Sequence, residues 1–79
     1  MTGAHIRRRS VTLQGHRTSV SMEDAFWTQL KTIATRRGLS INALVAEADA
    51  GRPPDDPGNL SSALRLLVLE DALAEAHEV

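Results

Sequence analysis

Over Arg17-Thr18-Ser19-Val20-Ser21-Met22 polar and apolar-leaning side chains alternate, and at Glu23 the period changes. From there Phe26, Trp27, Leu30, Ile33 and Ala34 recur at the spacing of one helix face. A strand that runs straight into an amphipathic helix constrains this chain more than any other feature, because the strand needs a partner. Its backbone N–H and C=O groups must be hydrogen-bonded somewhere. The sequence offers no obvious sheet core, so the expected partner is the same strand of a second copy. Alternation also sets the faces: Thr18, Val20 and Met22 are expected toward the helices, and Arg17, Ser19 and Ser21 away from them. A slip of one residue would bury Arg17 and expose Val20 and Met22, so the register is well determined.

A chain of 79 residues is one domain of modest core, and domains of that size usually need a staple. With no cysteine there is neither a disulfide nor a thiolate site. His5, His16 and His77 are scattered without ligand spacing, so no metal and no cofactor are expected. Oligomerisation is the staple that remains. Absence of cysteine fits a cytoplasmic protein. No apolar run follows Arg7-Arg8-Arg9, so no signal peptide is expected, and nothing reaches membrane-spanning length.

The net charge of −1 conceals an asymmetry. Residues 1–38 carry seven basic side chains against two acidic ones, and residues 39–79 carry two against eight. One end is suited to anions and the other is acidic.

Taken in order, residues 1–9 read as a flexible basic arm. Residues 10–14 alternate, and serve equally as a first strand or as extended arm. In the first case Gln14-Gly15-His16 is a three-residue hairpin loop with Gly15 at positive φ. The strand 17–22 follows, then a helix over 23–37. Ser21, Glu23 and Asp24 supply capping oxygen and negative charge at its start, Arg36 and Arg37 stand in its last turn, and Gly38 ends it. Ser40 caps a second helix, 40–50, with Ile41, Leu44, Val45 and Ala48 on one stripe. Three prolines and two glycines make residues 51–58 irregular, with the linker running to 59. A third helix, 60–76, is apolar over most of its circumference, which asks for burial on more than one side.

Strand 17–22, helix 23–37 and the Gly38-Leu39-Ser40-Ile41-Asn42-Ala43-Leu44-Val45 turn together resemble the ribbon-helix-helix family of bacterial and phage DNA-binding repressors. The match covers residues 16–50. With the third helix, starting at Asn59-Leu60-Ser61-Ser62-Ala63, the whole chain looks like a small bacterial subfamily of it. The resemblance implies a mainly α fold with a short β element, β-α-α plus a C-terminal helix, as an intertwined homodimer. Its antiparallel ribbon would lie in the major groove of double-stranded DNA. Arg17, Ser19 and Ser21 would then contact bases, Arg17 being the guanine reader because its fork matches O6 and N7. Ser40, Ile41 (through its N–H) and Asn42 would hold phosphate at a helix N-terminus, with Arg7, Arg8 and Arg9 adding phosphate contacts from the arm. The dimer core would comprise Val20, Met22, Phe26, Trp27, Leu30, Ile33, Leu44 and Val45. Residues 10–14 would make a four-stranded variant if they are a strand, and would trail from the two-stranded ribbon if they are arm.

A second reading is a protein-interaction module, such as an antitoxin whose residues 60–79 bind a partner protein. No nucleophile–base pair, phosphate loop or metal cluster supports an enzyme.

Overall fold

The computed structural model describes residues 3–51 and 60–76. Two strands, β1 (Ile6–Leu13) and β2 (His16–Glu23), precede three helices, α1 (Asp24–Arg37), α2 (Ile41–Ala50) and α3 (Leu60–Ala76). This is the expected β-α-α order with a third helix behind it. The linker expected over 51–59 lies outside the described residues, apart from Gly51, whose N–H bonds the Glu47 carbonyl at 3.2 Å and closes α2.

The strand finds a partner within its own chain. β2 pairs antiparallel with β1 of the same chain, from Ile6 opposite Glu23 to Leu13 opposite His16. The ribbon is therefore an intramolecular hairpin. Its loop has two residues rather than three: Gln14 and Gly15 both take positive φ, 51° and 79°, while His16 is already in the ladder. Two successive positive-φ residues form the turn whose twist matches that of the strands it joins. The basic arm is corrected in the same way. β1 begins at Ile6, so Arg7, Arg8 and Arg9 are strand residues.

α1 starts without a side-chain cap. Glu23 is its N-cap residue, and Ser21 plays no part. Instead the Asp24 N–H donates to the His5 carbonyl at 2.9 Å and the Ala25 N–H to that of Gly3 at 3.0 Å. The segment that pairs with β2 thus also satisfies two of the helix's orphan donors. At the other end Gly38 adopts φ 70°. The Leu39 N–H returns to the Ala34 carbonyl at 2.8 Å, an arrangement open to a residue without Cβ strain.

The hairpin's inner face, α1, α2 and α3 enclose the core. Met22, Leu30, Leu44, Val45 and Leu64 are fully buried, and Val11, Val20, Ile33 and Ala34 nearly so. Six of the residues expected in a dimer core are thus buried within one chain, while Phe26 and Trp27 stay half-buried. Thr18 lies in phase with Val20 but is exposed, beyond the helices' cover. α3 supplies what a minimal β-α-α chain lacks. Leu64 enters the core, with Leu60, Leu67 and Val68 packed around it. α3 runs in the same direction as α1: Arg65 meets Glu23 at the start of α1, and Asp71 and Glu75 meet Arg36 at its end.

Candidate nucleic-acid interface

The ladder pairs Arg8 with Ser21, Ser10 with Ser19 and Thr12 with Arg17. Residues directly opposite each other share a face, and successive residues alternate. The face turned from the core therefore carries two arginines and four hydroxyls, all exposed. Arg17, Ser19 and Ser21 stand where alternation predicted them. Across from them Ser10 and Thr12 join the same surface, and sequence reasoning missed these two. The signal was present in the alternation of residues 10–14, but their face follows only once the hairpin register is known.

The triple arginine separates. Arg8 faces outward with the hydroxyls. Arg9 is in phase with Val11 and Val20, its guanidinium 5.3 Å from the Trp27 ring centroid and ion-paired with Asp24. Arg7 also turns to Asp24, at 3.3 Å. Arg9 is thus drawn into an internal role, while Arg7 remains largely exposed beside Asp24. A long aliphatic stem lets an arginine cover apolar surface while its head finds a carboxylate.

The acidic side chains nearest the ribbon are engaged. Asp24 holds Arg7 and Arg9. Glu23 accepts from Arg65 Nε at 3.0 Å and Nη2 at 2.8 Å. Those bonds, with the charge behind them, keep the Glu23 carboxyl below the usual glutamate range. Arg8 and Arg17 have no ion-pair partner among the described residues. From the Arg8–Ser21 pair to the Thr12–Arg17 pair the outer face is thus net positive, and Glu23, in phase with Ser21 at the end of β2, is held by Arg65.

At the edge of this face stands the N-terminus of α2. The Ser40 hydroxyl accepts the Ala43 N–H at 3.0 Å, and the Ser40 carbonyl accepts that of Leu44, also at 3.0 Å. The Asn42 carboxamide oxygen accepts the Thr12 N–H at 3.2 Å. This bond moors the helix end to β1, beside the outer face. Ile41 is half-buried beneath it, so its N–H rather than its side chain is what this end offers. Helix-start N–H groups with the aligned peptide dipoles favour an anion.

A ribbon-helix-helix domain model matches residues 6–72. The chain belongs to the ribbon-helix-helix family. Domains of this family bind DNA and dimerise. A solved structure of an uncharacterized protein from Bordetella pertussis Tohama I is similar at a TM-score of 0.75 and 27% identity. The similarity covers 95% of this chain and 62% of that one, so this chain spans less than two thirds of its length. No curated protein matches the sequence. Among the described residues no group of His, Cys, Asp or Glu is placed to hold a metal ion, and no helix is long and apolar enough to cross a membrane.

Proposed function

We propose that this ribbon-helix-helix protein is a sequence-specific DNA-binding transcriptional regulator that reads the major groove with the outer face of its hairpin. The observation that carries the reading is the exposed, net positive face of Arg8, Ser10, Thr12, Arg17, Ser19 and Ser21, with a helix N-terminus moored to its edge. A two-stranded ribbon fits the major groove, where every base pair presents a distinct donor and acceptor pattern. Arg17 is the principal base reader, with Ser19 and Ser21 beside it. Arg8 and the α2 start, through Ser40, Ile41 and Asn42, take phosphate oxygens, which fix orientation without specifying sequence. No catalytic role is assigned to any residue.

The protein-partner reading rests on α3, where Leu66 and Leu69 remain exposed. Against a detachable C-terminal segment, α3 sends Leu64 into the core, and its Asp71 and Glu75 are held by Arg36. Selection from random duplex DNA, followed by gel shift over a salt series, tests the DNA reading. The expected result is a preferred sequence bound in a salt-sensitive way. Failure to enrich any sequence, or unchanged affinity in Arg17→Ala, would sink it.

A further inference from the structure

Arg17 meets two opposed demands. To read a base its guanidinium must be free, and among the described residues it has no ion-pair partner. To discriminate between bases its stem must also be held, because a long side chain ordered only on binding loses affinity to that ordering. A carboxylate would hold it and consume its charge. The hairpin register offers another means.

A two-residue turn makes Leu13 and His16 a hydrogen-bonded pair, and along an antiparallel ladder such pairs alternate with non-hydrogen-bonded ones. Thr12 and Arg17 are therefore a non-hydrogen-bonded pair, as are Ser10 with Ser19 and Arg8 with Ser21. Pairs of this kind bring their Cα atoms to about 4.5 Å and their side chains closest together. The Thr12 side chain thus stands directly across from the Arg17 stem. The other neighbours of Arg17 on this face, Ser10 and Ser19, are short and unbranched. Thr12 is branched at Cβ, which stiffens χ1 and makes its side chain a fixed wall.

The same alternation turns the Thr12 N–H away from β2. There the Asn42 carboxamide oxygen accepts it at 3.2 Å. Asn42 lies in the first turn of α2, at the helix end that offers its N–H groups to an anion. One residue is thereby joined to both halves of the interface. Its backbone is tied to the α2 N-terminus, and its side chain abuts the arginine that faces the bases.

We propose that Thr12 is a positioning residue for base readout. Asn42 fixes its backbone, and its branched side chain narrows the rotamers of Arg17, so the guanidinium and the α2 N-terminus meet DNA at a set separation. The role rests on the DNA reading above. Thr12 makes no base contact of its own. It leaves every guanidinium donor of Arg17 free for the base.

Two near-isosteric variants separate positioning from contact. Thr12→Val keeps the branch and the N–H and loses the hydroxyl. Thr12→Ser keeps the hydroxyl and the N–H and loses the branch. Both are mild changes at an exposed position, and melting curves check that they fold. Without DNA, ¹⁵N relaxation of the Arg17 Nε–H group is expected to give the native order parameter in Thr12→Val and a lower one in Thr12→Ser. The Thr12 amide is expected to exchange with solvent about fivefold faster in Asn42→Ala than in the native chain, the loss of one hydrogen bond. On selected duplex DNA, Thr12→Ser is expected to lose about threefold to tenfold of the discrimination at the base pair that Arg17→Ala relaxes, the range for ordering one long side chain. Thr12→Val keeps that discrimination, and the salt slope stays native in both variants because phosphate contacts set it. A Thr12→Val chain that discriminates as poorly as Arg17→Ala shows that the hydroxyl touches a base and overturns the positioning role. Equal Arg17 order in the native chain and both variants overturns it too, as does a Thr12 amide indifferent to Asn42→Ala. A native chain that prefers no DNA sequence overturns the DNA reading, and the Arg17 order parameters still decide whether Thr12 holds Arg17. Selective DNA binding with Arg17 order unaffected by Thr12→Ser spares that reading and refutes the positioning role.

Discussion

The two faces of the hairpin are made of the same sixteen ladder residues, yet they answer to different physics. The inner face carries Val11, Val20 and Met22, buried against three helices, with Arg9 folded over Trp27 at its margin. The outer face carries two arginines and four hydroxyls that touch nothing in the core. Strand alternation keeps the buried side chains and the exposed polar ones apart at single-residue resolution. Neighbours in sequence should therefore fail in different assays, and that separation is what substitution can break or sharpen.

The largest effect is expected inside. Met22→Ala or Leu44→Ala removes a fully buried side chain and should lower unfolding free energy by about 2–5 kcal/mol. In a domain this small that is a large share of the total, and denaturant titration reads it. Specificity among DNA sequences should be untouched in whatever fraction remains folded. Next comes Arg17→Ala, the outer-face counterpart. It should weaken binding to the preferred sequence by about 1–3 kcal/mol and relax discrimination at one base pair. The unfolding midpoint should stay in place, because an exposed residue away from the core changes stability by less than about 0.5 kcal/mol. A stability loss as large as that of Met22→Ala would place Arg17 inside and refute the register.

Arg8 and Arg9 give the sharpest contrast between adjacent positions. Arg8→Ala should reduce the slope of log affinity against log salt by about one, with little change in melting. Arg9→Ala should leave the slope unchanged and cost about 1 kcal/mol of stability, through lost packing on Trp27 and an unpaired Asp24. Equal slopes for both variants would contradict the split seen in the hairpin.

The smallest effect is a pH dependence at the junction of β2 and α3. Arg65 holds the Glu23 carboxyl below its ordinary range. The stabilisation is therefore complete above that range and is lost as pH falls through the lowered value. Melting curves of the native chain and of Glu23→Gln should differ slightly near neutrality and converge on acidification. Divergence at low pH would reverse the assignment.

How much of this was legible follows the periodicities. The three helices and the phase of β2 are written in apolar spacing, and the structure reproduces them within a residue or two. The partner of β2 is not. Its turn needs two positive-φ residues, and Gln14 gives no sign of that conformation. The start of β1 hides behind three arginines, where one inward-facing residue is charged. Arg9 acts as an apolar stem only because Trp27 and Asp24 lie 18 and 15 positions away in the chain. The start of α1 is satisfied by the carbonyls of Gly3 and His5, contacts that no local cap motif announces. Ser10 and Thr12 were invisible as surface partners of Arg17 for the same reason. Their face depends on a register set by the turn.

The two-residue turn also decides how the ribbon comes into being. A ribbon shared between chains forms only when two chains meet, so its folding slows on dilution. Here the ladder closes around Gln14 and Gly15 within one chain, from contacts few residues apart, and hairpins of that kind form in about 1–10 μs. Folding of the ribbon is unimolecular. A newly made chain therefore closes its hairpin, with Arg8, Ser10, Thr12, Arg17, Ser19 and Ser21 on one face, before it encounters any other copy.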